Sequence, residues 1–206
     1  MCPSYRVTQD EKHLTRGRAN ALRLALSGQL GMKALTSKDM YEVMRLCVGC
    51  KACARECPTG VDMTRMKSEF LHHYQQEHGV KTRDRMFAFL PRHAPILSII
   101  SPLLHLRDKI PGFAELSENL LGLCSQRKLP EWSSQPFQEN EVSVKSQVKT
   151  VVLFTDTFGT WFEPQGLRDA VAVLQDSGYQ VKVLGASSTS NRLCCGRTFL
   201  SSGLLK

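Results

Sequence analysis

Four cysteines fall within eleven residues as Cys47-x-x-Cys50-x-x-Cys53-x-x-x-Cys57-Pro58, and this run constrains the chain more than any other feature. Three thiols in consecutive steps of three let one looping segment reach three corners of a cube. A fourth corner has to be filled from elsewhere, and Pro58 helps turn the backbone away. That is the bacterial ferredoxin run for a [4Fe–4S] cluster. Gly49 fits it, since a small residue between ligands lets backbone N–H groups approach cluster sulfur. Structural zinc instead uses two separated pairs with about a dozen or more residues between them. Disulfides between neighbours this close would form strained small loops. Iron–sulfur is the reading, zinc the alternative, and one-electron transfer the chemistry implied.

The fourth ligand has two solutions. In two-cluster ferredoxins the Cys of the final Cys-Pro serves the other cluster, and the chain holds one further Cys-Pro, Cys2-Pro3. On that rule, which we favour, Cys2, Cys47, Cys50 and Cys53 make one complete site. Cys57 then belongs to a second cluster whose other cysteines lie upstream of Met1. On the other solution Cys57 closes the first cluster itself and Cys2 is a free thiol.

Beyond the run, Cys194-Cys195-Gly196 follows a strand-like segment, where adjacent cysteines with a glycine can ligate a cluster or do redox chemistry. Two buried thiols fit the local sequence equally well. Cys124, in an apolar Leu-Gly-Leu stretch, reads as a core residue. His72, His73 and His78 with Glu77 read as a solvated helix face. Asp156, Thr157 and Glu163 flank a strand end, where α/β folds place ligands, but one strand end is not a site. No dinucleotide fingerprint, phosphate loop or nucleophile–base pair is present.

With 206 residues, a net charge of +8 and eight cysteines, the chain can build one core or two small ones. The positive balance favours anionic partners. Nucleic acid is the weakest of these, because aromatics are few and no reader motif appears. The basic residues are spread along the chain, apart from Arg16, Arg18 and Arg23, and all of them, those three included, read as a solvated basic surface. No secretory signal opens the sequence. The most apolar segment, Ala94 to Leu106, is too short and too interrupted by proline to span a bilayer, and its default place is a core. The expected location is cytoplasmic, with peripheral contact at the inner membrane face as an extension.

Periodicity makes the first two thirds helical. Thr15 caps a helix to about Leu30, with Leu22, Leu26 and Leu30 on one face and Gly31 as the stop. Thr36 or Ser37 caps a shorter helix running into the cysteines. Asp62 opens another through Met63, Met66, Phe70 and Tyr74, closed by Gly79. Further helices are expected at Thr82–Leu90, stopped by Pro91, and at Phe113–Leu121. Residues 130–147 change to Ser, Gln, Glu and Pro and read as a linker. Then come a strand at Val151–Phe154, a helix at Gly166–Ser177 and a strand at Val181–Leu184. The fold class expected is mainly α: an α-helical ferredoxin-like domain over 1–129, the linker, and an incomplete α/β domain of β–α–β type over 148–206. Two parallel strands and one helix cannot bury a sheet on both faces.

With these residues in hand, the chain resembles the C-terminal iron–sulfur part of FAD-linked 2-hydroxyacid dehydrogenases, the D-lactate, glycolate and D-2-hydroxyglutarate oxidising enzymes. The resemblance rests on Met-Cys-Pro-Ser-Tyr at 1–5, Thr-Arg-Gly-Arg-Ala-Asn-Ala-Leu-Arg at 15–23 and the run at 47–58. Phe-Thr-Asp-Thr-Phe at 154–158 and Cys-Cys-Gly-Arg-Thr-Phe at 194–199 complete it. It implies that FAD in a partner domain or subunit oxidises the 2-hydroxyacid, and that electrons leave through two [4Fe–4S] clusters toward a quinone or other acceptor. Cys2, Cys47, Cys50, Cys53 and Cys57 match cluster ligands, and Cys194 and Cys195 match a Cys-Cys-Gly module shared with heterodisulfide reductases. Thr157 departs from the pattern, standing where several relatives carry a cysteine. With no flavin domain of its own, the chain is expected to be a fragment of such an enzyme. The competing expectation is an iron–sulfur subunit of a heterodisulfide-reductase-like or anaerobic glycerol-3-phosphate dehydrogenase complex.

Overall fold

A computed structural model describes residues 1–143, 149–187 and 192–205. In chain order the helices are α1 (Pro3–Thr8), α2 (Thr15–Leu26), α3 (Lys38–Arg45), α4 (Ala52–Glu56), α5 (Met63–His78) and α6 (Thr82–Ala88). They continue with α7 (Leu90–Ile99), α8 (Ser101–Leu104) and α9 (Phe113–Leu121). A β1 (Thr150–Thr155), α10 (Thr157–Trp161), α11 (Pro164–Asp176), β2 (Gln180–Gly185) segment follows, and α12 (Arg197–Ser201) comes last.

The chain divides into two compact units, Met1–Ala88 with Thr198–Lys206, and Phe89–Arg197. Residues 89–129, expected within the helical domain, thus group with the α/β piece. In the first unit α2, α3 and α5 converge on Leu22, Ala25, Met40, Met44, Met63, Phe70, Leu71 and Tyr74. Ser37 caps α3, its Oγ accepting from the Met40 N–H at 3.2 Å. Asp62 caps α5 through the Thr64 and Arg65 N–H groups, satisfying donors a helix start leaves open. The last residues return to α5. The Gln75 side-chain amide donates to the Ser202 carbonyl at 2.6 Å, and Gly203 sits where a Cβ would fall 2.5 Å from that of Leu71.

Helix α2 differs from its expectation in end and in face. It stops at Leu26 rather than near Leu30, because Gly28 takes a left-handed conformation (φ +78°) and the backbone turns there. Its buried stripe is Arg18, Leu22 and Ala25, while Leu26 is 71% exposed and Leu30 is exposed too. Thr15 is the first helical residue, not the cap. Pro91 opens α7 rather than only stopping α6, as its fixed φ and missing N–H allow.

In the second unit β1 and β2 pair in parallel, Thr150 opposite Gln180 through Thr155 opposite Gly185. One face packs Val151, Leu153, Val181 and Val183 against Leu167, Val171 and Leu174 of α11. Val152, Phe154 and Leu184 on the other face are exposed. Residues 130–143 do not run free as a linker would. Phe137 enters the core, its N–H donates to the Thr160 carbonyl, and Glu141 pairs with Arg168. Residues 144–147 of the expected linker lie outside the described residues. The apolar segment at 94–106 is also not a core element. Ala94 is buried, but Ile96, Ile99 and Leu103 are exposed, Ile99 to 78%.

Candidate metal centre

Two separate pieces of the first unit bring the cysteines together. The loop between α3 and α4 carries Cys47 and Cys50, and Cys53 lies in the first turn of α4. Gly49 and Lys51 both take left-handed backbone (φ +65° and +59°), which curls the loop on itself. For Lys51 that conformation costs about 1–3 kcal/mol, so the surrounding fold has to impose it. Cys47 and Cys53 pack against the core of the unit. Cys2 immediately precedes α1, and its Sγ lies 3.3 Å from Thr15 Oγ1 at the start of α2.

Cys2, Cys47, Cys50 and Cys53 line one cavity of about 260 Å³, together with Arg18 and Thr64. Cys57 does not line it. Its Sγ lies 3.1 Å from Thr59 Oγ1. The Thr59 hydroxyl, then the backbone N–H groups of Val61, Thr59 and Gly60, hold this thiol below the ordinary cysteine range, as donors aimed at sulfur favour the thiolate. The structure thus groups Cys2 with the first three cysteines of the run and sets Cys57 apart. Cys194 is half-buried and Cys195 exposed, and neither shares this cavity. Cys124, expected in a core, is exposed, because the chain around it lies on the surface while its carbonyl accepts from Arg107 at 2.8 Å.

The donor set suits a cubane. All eight cysteines are free thiols. Thr64 lines the cavity, its Oγ1 is buried without a hydrogen-bond partner, and its Cγ2 lies 3.4 Å from where a Cβ on Gly49 would stand. An orphaned hydroxyl beside four thiols matches a group that presents sulfur as acceptor. Among the described residues no three His, Cys, Asp or Glu side chains converge as ligands of a single metal ion. A lone zinc requires its sulfurs at about 2.3 Å from one point, whereas a cube takes one thiolate at each of four separated irons. The consecutive steps of three in the run fit the cube better.

Two cations accompany the thiols. Arg18, expected on a solvated surface, is 1% exposed. It donates to the carbonyls of His13 (2.6 Å) and Val43 (3.0 Å) and to Ser4 Oγ (3.0 Å), tying α1 to the segment that leads into Cys47. The ammonium of Lys67 on α5 donates to the Cys47 carbonyl at 2.6 Å and the Arg45 carbonyl at 3.1 Å. Burial pushes it below the usual lysine range, the Cys47 sulfur pulls it back up and Arg18 pushes it down again. Sequence reasoning passed over Arg18, Lys67 and Thr64. For Arg18 a signal existed, since it shares the i, i+4, i+7 stripe with Leu22 and Ala25. For Thr64 and Lys67 no local pattern marks the role.

Residues 1–61 match the family model described as the 4Fe-4S dicluster domain, so the run lies in an iron–sulfur domain. Over 233 residues of alignment the chain is 24% identical to D-2-hydroxyglutarate dehydrogenase of Escherichia coli (strain K12), covering 89% of this chain and 23% of that protein. The enzyme of the same name from Pantoea ananatis (strain AJ13355) is 24% identical, with 89% and 22% covered. That of Haemophilus influenzae (strain ATCC 51907 / DSM 11121 / KW20 / Rd) is 25% identical, with 70% and 15% covered. The chain therefore spans less than a quarter of the length of these relatives. These matches bear out the resemblance to 2-hydroxyacid-oxidising enzymes drawn from the motifs. No solved structure matches the chain.

Proposed function

We propose that this chain is the iron–sulfur electron-transfer segment of a flavin-linked 2-hydroxyacid dehydrogenase, of the class that oxidises D-2-hydroxyglutarate, D-lactate or glycolate. Electrons would pass from FAD, held in a partner domain or subunit, to a quinone or other acceptor. The observation that carries the reading is the meeting of Cys2, from the N-terminal arm, with Cys47, Cys50 and Cys53 around one cavity. A bound [4Fe–4S] cluster supplies one-electron storage at that point.

The residues of the chain do the holding. Cys47, Cys50 and Cys53 offer three thiolates from one loop, and Cys2 offers the fourth from across the cavity. The apolar core behind Cys47 and Cys53 excludes water from one side, and Thr64 in the cavity lining has a hydroxyl left without a partner. Cys57, stabilised as thiolate by its own turn, is assigned to a second cluster whose remaining thiolates come from a partner segment. The word dicluster in the matching model supports that assignment. On this reading the helical part is an α-helical ferredoxin-like domain and the β–α–β piece begins a Cys-Cys-Gly domain. Among the described residues no helix is long and apolar enough to cross a membrane. The same reading places the protein in the cytoplasm, with peripheral contact at the inner membrane face where the acceptor is a quinone.

The test is anaerobic preparation of the full chain with iron and sulfide analysis. Roughly four irons and four sulfides per chain are expected for one complete ligand set. Cys2→Ser is expected to cost more iron than Cys57→Ser. The reverse order overturns the ligand assignment, and a colourless protein holding stoichiometric zinc overturns the electron-transfer reading.

A further inference from the structure

Burying a charge without a partner is expensive, and evolution usually answers with an ion pair. Arg18 and Lys67 break that pattern beside the cysteine cavity. Among the described residues no carboxylate lies within 4.0 Å of either side chain's nitrogens. Arg18 spends its donors on neutral acceptors, the His13 and Val43 carbonyls and the Ser4 hydroxyl. Lys67 does the same with the carbonyls of Arg45 and Cys47. Hydrogen bonds to neutral oxygens satisfy the protons without cancelling the charge, and Asp84 attracts the Lys67 ammonium without forming an ion pair with it.

Both cations hydrogen-bond to carbonyls of the segment 43–47 that leads into the cysteine loop. They come from different helices, α2 and α5, and both bear on the Cys47 segment: Arg18 through the cavity wall, Lys67 through the Cys47 carbonyl. Glu56 lines the same cavity but is exposed and makes no ion pair with Arg18. Arg18 lines the void, and Lys67, outside that lining, holds the carbonyl of one of the lining cysteines; two such charges favour an anion in the void.

We propose that Arg18 and Lys67 together are the counter-charge of the cluster held by Cys2, Cys47, Cys50 and Cys53, and that they set its reduction potential. This rests on the ligand reading given above. A cube with four thiolates is anionic, and each added electron makes it more so. Fixed positive charge at its edge stabilises the reduced form more than the oxidised form and raises the potential, one of the levers by which proteins tune such clusters. Both are positioning residues, since neither donates an electron or ligates iron. Arg18 has a second duty, because its three hydrogen bonds also hold the arm that carries Cys2.

The experiment compares the full-length chain with Lys67→Gln, Lys67→Arg and Arg18→Gln, prepared anaerobically. Iron and sulfide content is read first, then a redox titration followed by electron paramagnetic resonance. Lys67→Gln is expected to keep its iron and to lower the reduced-to-oxidised ratio at fixed solution potential about tenfold, equivalent to about 59 mV for a one-electron couple. Lys67→Arg is expected to stay within about twofold of the parent ratio, since it keeps the charge. A fully loaded Lys67→Gln whose ratio moves less than about threefold overturns the proposal. If Lys67→Gln loses its iron, recovery in Lys67→Arg supports the charge role and absence of recovery overturns it. Arg18→Gln, where it loads, is expected to shift the ratio in the same direction, and an upward shift is contrary to the proposal. A parent chain that binds no iron at all sinks the ligand reading instead, so the two failures are distinct.

Discussion

Thr64 shows how one side chain can report on a missing neighbour. Its hydroxyl is buried and unpartnered, a state that costs about 1–3 kcal/mol when nothing accepts the proton. Thr64→Val keeps the shape and removes the orphan. The apo variant is therefore expected to be more stable than the apo parent, by about 1 kcal/mol in urea unfolding. Once the cluster is bound the sign reverses, because the parent then gains an O–H···S hydrogen bond that the variant lacks. A loaded Thr64→Val with an unchanged potential would show that the hydroxyl faces elsewhere. The Glu141–Arg168 pair in the second unit gives a pH prediction at the same scale. The Arg168 hydrogen bond holds the Glu141 carboxyl below the usual range. The unfolded chain thus takes up that proton first as pH falls. The pair's contribution is present at neutral pH and is lost as pH drops through the lowered folded value. With both side chains about a third exposed, it amounts to a few tenths of a kcal/mol. Arg168→Gln should flatten the acid limb of a stability–pH curve for this unit by that amount.

Among the elements, α2 and the turn at Glu11–His13 illustrate how close approach, rather than propensity, explains a glycine. Helix propensity alone disfavours Gly17 in the second half-turn of α2. A Cβ there would stand 2.1 Å from the Glu11 carbonyl oxygen, and a backbone atom cannot swing aside as a flexible side chain can. Gly17→Ala is expected to destabilise the chain by roughly 2 kcal/mol and to lower iron content, because the displaced turn links α2 to the arm bearing Cys2. Chemical denaturation and iron analysis on the same preparation test both halves. The motif Thr-Arg-Gly-Arg-Ala at 15–19 thereby acquires a physical meaning: Gly17 for close packing and Arg18 for the buried charge. Helix starts were read well where a side chain announces them, as with Ser37 and Asp62. Helix ends and faces were read poorly where a glycine competes with a leucine pattern. Gly28 ended α2 four residues before Leu30, and the leucines on the expected face proved exposed. A stripe written in Leu is legible to a hydropathy pattern, while one that includes Arg18 is not.

At the scale of the whole molecule, each of the two units has its own apolar cluster, and the cysteine cavity lies within the first. Anything that binds the native form alone stabilises the unit that holds it. Removing the cluster with a chelator is accordingly expected to lower the unfolding temperature of residues 1–88 and to leave protection of β1, β2 and α11 unchanged in hydrogen exchange. Loss of protection at Val181 and Val171 on chelation would contradict that division. The sequence by itself determined the chemistry of the centre. Thiol spacing is a one-dimensional property, and Cys47, Cys50, Cys53 and Cys57 carry their meaning in consecutive steps along one loop. It determined β1, α11 and β2 nearly to the residue for a similar reason, since alternation and helical period are local. Which residue stands opposite the loop had two solutions in the sequence, Cys2 favoured over Cys57 through the second Cys-Pro, and only folding brings the distant Cys2 near Cys47. Tertiary structure alone buried Arg18 where composition suggested a wetted surface, and turned the apolar side chains of α7 and α8 outward. Burial depends on what the rest of the chain brings to a given side, and no window of neighbouring residues contains that information.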